Sequence, residues 1–94
     1  MTVTVDVFDA AGHGLYDTEP FSVRVGLAVD GVHRAYQFRC HTGIAPELGA
    51  VLLEPDAAFR ADLTANPRLK GKVMRMVSRL LAGEAIALPA RVED

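Results

Sequence analysis

The side chains of this 94-residue chain best able to do chemistry are three histidines, one cysteine and ten cations. Cys40 and His41 are neighbours, which invites a thiolate–imidazole reading. Adjacent residues of a strand point to opposite faces, however, so His41 is poorly placed to take the proton of the Cys40 thiol. Cys40 shares its face with Tyr36 and Phe38 and reads as a buried, inert thiol. His13 lies between Gly12 and Gly14, with Asp9 and Asp17 close by in sequence. Asp9, His13 and Asp17 are hard ligands for a cation, and two glycines beside an imidazole suit a backbone nest for an anion. The run has neither the lysine and hydroxyl pair of a phosphate loop nor the third glycine of a dinucleotide fingerprint, and its acids oppose a phosphate. A solvated connection explains the same residues. His33 and His41 are eight residues apart on one strand, about 26 Å, and cannot share a metal.

The cations are unevenly placed. Pro67 to Ala82 holds Arg68, Lys70, Lys72, Arg75 and Arg79 and no acid, so it carries +5, while the rest carries −7, giving the net charge of −2. At 100° per residue Arg68, Lys72, Arg75 and Arg79 project on one side of a helix, within about 60°. Leu69, Val73, Met76, Val77 and Leu80 form a separate apolar face. The cationic ridge is the candidate contact for an anion, an acidic protein or nucleic acid. It lacks interleaved aromatics for base stacking, and the net charge gives no long-range attraction to a polyanion. An ordinary solvated helix face is the competing reading.

A second candidate surface is the polar side of a hairpin: Ser22, Arg24, His33, Gln37, Arg39 and His41. It reads as a sheet-to-sheet contact with another subunit, or simply as the wet side of a sheet that covers one face only.

The elements that must position these residues follow from periodicity. Thr2 to Phe8 alternates Val3, Val5 and Val7 against polar residues and predicts a strand. Asp9 to Pro20 is a loop. Phe21 to His41 predicts a hairpin about Asp30-Gly31, the pair that a two-residue type I′ turn favours. That register sets Val29 opposite Val32, Val25 opposite Tyr36, Val23 opposite Phe38 and Phe21 opposite Cys40. Leu27 opposite Arg34 is its one mismatch. Ile44, Leu48, Val51 and Leu52, with Pro46 in a first turn, predict a short helix ending before Pro55, with a strand over Ala50 to Leu53 as the rival. Pro55 to Thr64 predicts a helix with Phe59 and Leu63 inward. Asn66-Pro67 opens the longest helix and Gly83 closes it. Gly71 within it suggests close packing against a neighbour. Ala85 to Val92 reads as extended, with Pro89 restricting it to an edge strand or ending it at Leu88.

The expectation is a single α+β domain over residues 1–94: a small antiparallel sheet of a hairpin plus an N-terminal strand, with a possible C-terminal edge strand, packed on two or three helices. An apolar fraction of 50% excludes a disordered chain. No apolar run is long enough to span a membrane. One cysteine excludes an intrachain disulfide. The opening MTVTVDVFDA lacks the basic stretch and apolar run of a secretory leader, so a cytoplasmic protein is expected. No catalytic set, metal site or cofactor is legible. The leading functional expectation is a non-enzymatic interaction or assembly module that self-associates, through the edge strand Thr2 to Phe8 or Ile86 to Val92 or through the basic helix meeting an acidic patch. The alternatives are a nucleic-acid-binding domain using the cationic ridge, and a small ligand-binding domain or enzyme using His13 or Cys40.

Overall fold

A computed structural model of the chain describes residues 1–14, 17–45 and 50–93, with the backbone alone at 42–45, 50 and 51. The order is β1 (Val3–Asp9), β2 (Phe21–Val29), β3 (Val32–Ala45), β4 (Ala50–Pro55), α1 (Ala57–Asp62), α2 (Pro67–Leu81) and β5 (Ala90–Val92). The five strands form one antiparallel sheet in the order β4-β3-β2-β1-β5. This is an α+β arrangement. No helix among the described residues is long and apolar enough to cross a membrane.

The hairpin has the register that the turn dictates, from Val29 opposite Val32 to Phe21 opposite Cys40. Asp30 and Gly31 have φ of 49° and 83°, the left-handed pair of a type I′ turn. Asp30 also ties the turn to the start of β1: its carboxylate accepts from the Thr2 amide at 2.7 Å, and its own amide donates to the Thr2 carbonyl at 2.8 Å. The mismatch of Leu27 and Arg34 is resolved from outside the hairpin. Leu27 is fully buried, while Arg34 reaches Asp62 at the end of α1 at 3.0 Å.

β1 departs from its alternation. Val3 and Val5 are buried, but the pairing with β2 shifts between Val5 and Val7, where Asp6 is the extra residue of a bulge. Beyond it Phe8 takes the core side, and Val7, expected there, is 48% exposed on the other. β1 is also interior, not an edge, because β5 pairs with Val3–Val5. The C-terminal strand is shorter than the expected extended run and begins after Pro89. It forms one edge of the sheet, with Pro89 outside the ladder.

The helix expected before Pro55 is replaced by the end of β3 and by β4. Leu53 and Pro55 are buried, whereas Leu52 (57% exposed) and Glu54 are not. This is period two, and Leu53 stands opposite Cys40. A run of four apolar residues fits a helix stripe and a strand equally well, and pairing with β3 decides. Pro46 and Leu48 lie outside the described residues.

α1 starts at Asp56, whose Oδ1 accepts from the Phe59 amide at 2.8 Å and whose Oδ2 accepts from the Gln37 amide at 2.9 Å. One carboxylate thus caps the helix and anchors it to β3. α2 opens on Asn66, which accepts from the Leu69 amide at 3.2 Å, with Pro67 in its first turn. Leu69, Val73, Val77 and Leu81 are buried, four residues apart throughout. Met76 and Leu80 pack at the margin of the same core. Gly71 faces open space, so the close packing expected there is absent. Past the helix, Gly83 has a φ of 86°, and its amide returns to the Leu80 carbonyl.

These helix residues and Val3, Val5, Val23, Val25, Leu27, Tyr36, Phe38 and Cys40 form one core cluster. Phe59 is its pivot, with ring centroids 5.7 Å from Tyr36 and 4.8 Å from Phe38, both edge-on. The Tyr36 hydroxyl donates to Asp62 at 2.6 Å.

Two buried protons make this core sensitive to alkali. Burial pushes the Cys40 thiol from 9.0 up to about 11. Burial, and then the bond to Asp62, push the Tyr36 hydroxyl from 10.0 up to about 12. Each group binds its proton more tightly folded than unfolded. The associated stabilisation is complete below the ordinary values and is lost as pH rises through the folded ones. Urea midpoints should therefore fall between pH 9 and 12. Cys40→Ala should flatten the lower part of that fall and Tyr36→Phe the upper part. An unchanged slope in both variants would contradict the assignment.

Candidate interaction surface

The face of the sheet opposite the core cluster is built in rows across the strands. One row runs Thr4, Ala28, His33; the next Val7, Gly26, Ala35; then Asp9, Arg24, Gln37; then Ser22, Arg39, Glu54; and last His41, Leu52. Ser22, Arg24, His33, Gln37 and Arg39 are exposed on this one face and His41 is half-buried, so all six hairpin residues singled out from sequence share it.

Its two histidines are each paired with a carboxylate of the sheet, whereas Arg24, Arg39 and Asp9 have no ion pair among the described residues. His33 Nδ1 lies 2.8 Å from Asp6 Oδ2, and His41 Nε2 lies 2.9 Å from Glu54 Oε2. The two histidines thus have separate carboxylate partners on the strands flanking the hairpin. Among the described residues no group of three or more His, Cys, Asp or Glu side chains could hold a metal.

A depression of about 330 Å³ lies in this face, lined by Asp6, Val7, Asp9, Arg24, Gly26, His33, Arg34 and Ala35. The bulge and the missing side chain at Gly26 create it. A Cβ at Gly26 would stand 2.8 Å from Asp6 Oδ1 and 2.9 Å from Val7 Cβ. Asp6 and Val7 therefore lean over a floor that only glycine leaves open. Sequence reasoning missed Asp6, Val7, Gly26 and Glu54 as members of this surface. The one signal for them was a glycine inside a strand otherwise rich in β-branched residues, which marks a bulge or a close approach.

The loop histidine has local partners. His13 Nδ1 lies 2.5 Å from Asp17 Oδ2, and the ring stacks on Phe21 with centroids 4.8 Å apart. Asp9 instead accepts from the Ala11 amide at 2.9 Å. Cys40 is buried, with its thiol 3.9 Å from the Phe38 carbonyl oxygen. A thiol held protonated there is no nucleophile at neutral pH.

The cationic ridge is partly gathered. Lys72, Arg75 and Arg79 line a groove of about 180 Å³ together with Met76, Arg91, Val92 and Glu93; Arg68 is exposed near the helix start and is not among its lining. Arg79 donates twice to Glu84, at 2.8 and 2.5 Å, which raises its own pKa and lowers that of Glu84. Arg91 lies 3.4 Å from Glu93. Arg91, twelve residues beyond Arg79, joins the ridge only through the fold.

Fold and surfaces together define an α+β protein with one uncovered, charge-patterned sheet face and a basic groove at a sheet edge. No family model, curated protein or solved structure matches the chain.

Proposed function

We propose that the protein is a non-enzymatic interaction module that pairs with a second copy through the uncovered sheet face. The observation that supports this most is the relation of Val7 to Gly26. The two are partners across β1 and β2, one a half-exposed knob and the other the floor of a depression. A two-fold axis parallel to the strands and midway between β1 and β2 exchanges their positions. Val7 of each copy then enters the depression of the other. The same operation sets Asp9 over Arg24 of the second copy, since these are also paired across β1 and β2. Shape and charge are self-complementary under one axis, as a two-fold interface requires.

The overlap covers β1 and β2 over about six residues and the three-residue β5 against β3, roughly 300 Å² of sheet per copy. Stable interfaces bury about 800 Å² per partner, so the dimer is weak and concentration-dependent.

Sedimentation equilibrium tests the proposal. A monomer–dimer equilibrium is expected that weakens with salt. Arg24→Asp and Asp9→Lys should each weaken it about tenfold, and the double variant should restore it. A monomer at every concentration, or a dimer indifferent to both single changes, would rule the arrangement out.

A further inference from the structure

We infer that the groove between α2 and β5 takes an acidic extended peptide, added to the sheet as a sixth strand. β5 is an edge: its inner side pairs with β1, and among the described residues no strand lies on its outer side. Such an edge presents backbone donors and acceptors to an incoming chain. The groove beside it has an apolar element, Met76 and Val92, and four cations, Lys72, Arg75, Arg79 and Arg91. Glu84 engages Arg79 and Glu93 lies near Arg91, while Lys72 and Arg75 have no ion pair among the described residues. The groove is therefore net positive beside a sheet edge that has no strand partner among the described residues.

Alternation fixes the pattern of the guest. Val92 lies on the core side of the sheet beside α2, and Arg91 takes the opposite register. Every second residue of an added strand would face α2, where a carboxylate meets Lys72 and Arg75. No aromatic side chain lines the groove, so nucleotide bases would have nothing to stack on, which favours a peptide over single-stranded nucleic acid. This surface is an edge and does not depend on the proposed face-to-face dimer.

The test is fluorescence anisotropy with a short, capped peptide alternating threonine and glutamate, at low salt. Binding is expected, with chemical-shift changes at the Ala90–Val92 amides. Lys72→Glu and Arg75→Glu should each weaken it about tenfold. The same peptide with alternate backbone amides N-methylated keeps its charge but cannot complete a ladder, and should not bind. Three results would overturn the inference: no binding of the unmodified peptide, equal binding of the N-methylated one, or tighter binding of an oligothymidine.

Discussion

Truncating Phe59 to alanine is expected to cost about 3–5 kcal/mol, the range for removing a large aromatic from a packed core. Phe59 is fully buried and touches Tyr36 and Phe38 edge-on, so the cavity would open at the junction of α1 with β3. Neither neighbour can collapse into it easily. Tyr36 is held by its bond to Asp62, and Phe38 lies in the central part of the hairpin ladder. A chain of this length has a total stability of about 5–14 kcal/mol, so the loss is a large share of the whole. Thermal melting followed by circular dichroism should show a drop of about 15–30 °C. A drop of only a few degrees would mean that the α1–sheet junction is not the pivot of the core.

The parts of this fold legible in the sequence are those where two independent signals agree. The Asp30-Gly31 turn and the alternation of both flanking strands specify one register, and the structure has it over all nine pairs. Asn66, Pro67 and an i, i+4 stripe from Leu69 to Leu81 agree in the same way for α2. Where one signal stood alone, tertiary pairing decided. The apolar run before Pro55 fitted a helical stripe opened by Pro46 and a period-two strand equally well, and β3 recruits it as an edge strand whose Leu52 faces outward.

The candidate surfaces were half legible for the same reason. Arg24, His33, Gln37, Arg39 and His41 follow from the hairpin register alone. Asp6, Asp9 and Glu54, the acids that accompany them, come from β1 and β4, whose neighbours and bulge are long-range facts. The ridge of Lys72, Arg75 and Arg79 follows from helical spacing, but Arg91 joins it only because β5 returns beside α2 to pair with β1. Local periodicity says which side chains share a face. It does not say which element will lie next to that face.

Gly26 is where that long-range placement should be most costly to disturb. Gly26→Val is expected to destabilise the protein by about 3 kcal/mol, the upper part of the range for overpacking. The added Cβ alone would meet Asp6 Oδ1 at 2.8 Å and Val7 Cβ at 2.9 Å. The Asp6 carboxylate can swing aside, at the expense of its 2.8 Å contact with His33. Val7 Cβ is fixed to the backbone, so relief requires the β1 bulge itself to move, and the bulge determines that Phe8 and not Val7 faces the core. Gly26→Ala should cost less, about 1–2 kcal/mol, because the loss of backbone freedom in the unfolded chain offsets part of the clash. Urea denaturation of both variants at neutral pH checks the order. An alanine variant as stable as the parent would show that the strands have room to part, and the depression would then owe its shape to something other than the absent side chain. If the clash is real, the alanine variant, still folded, also loses the hollow that receives Val7 of a second copy. Its self-association should weaken even though no charge has changed, which separates the steric half of the proposed contact from the Asp9–Arg24 half.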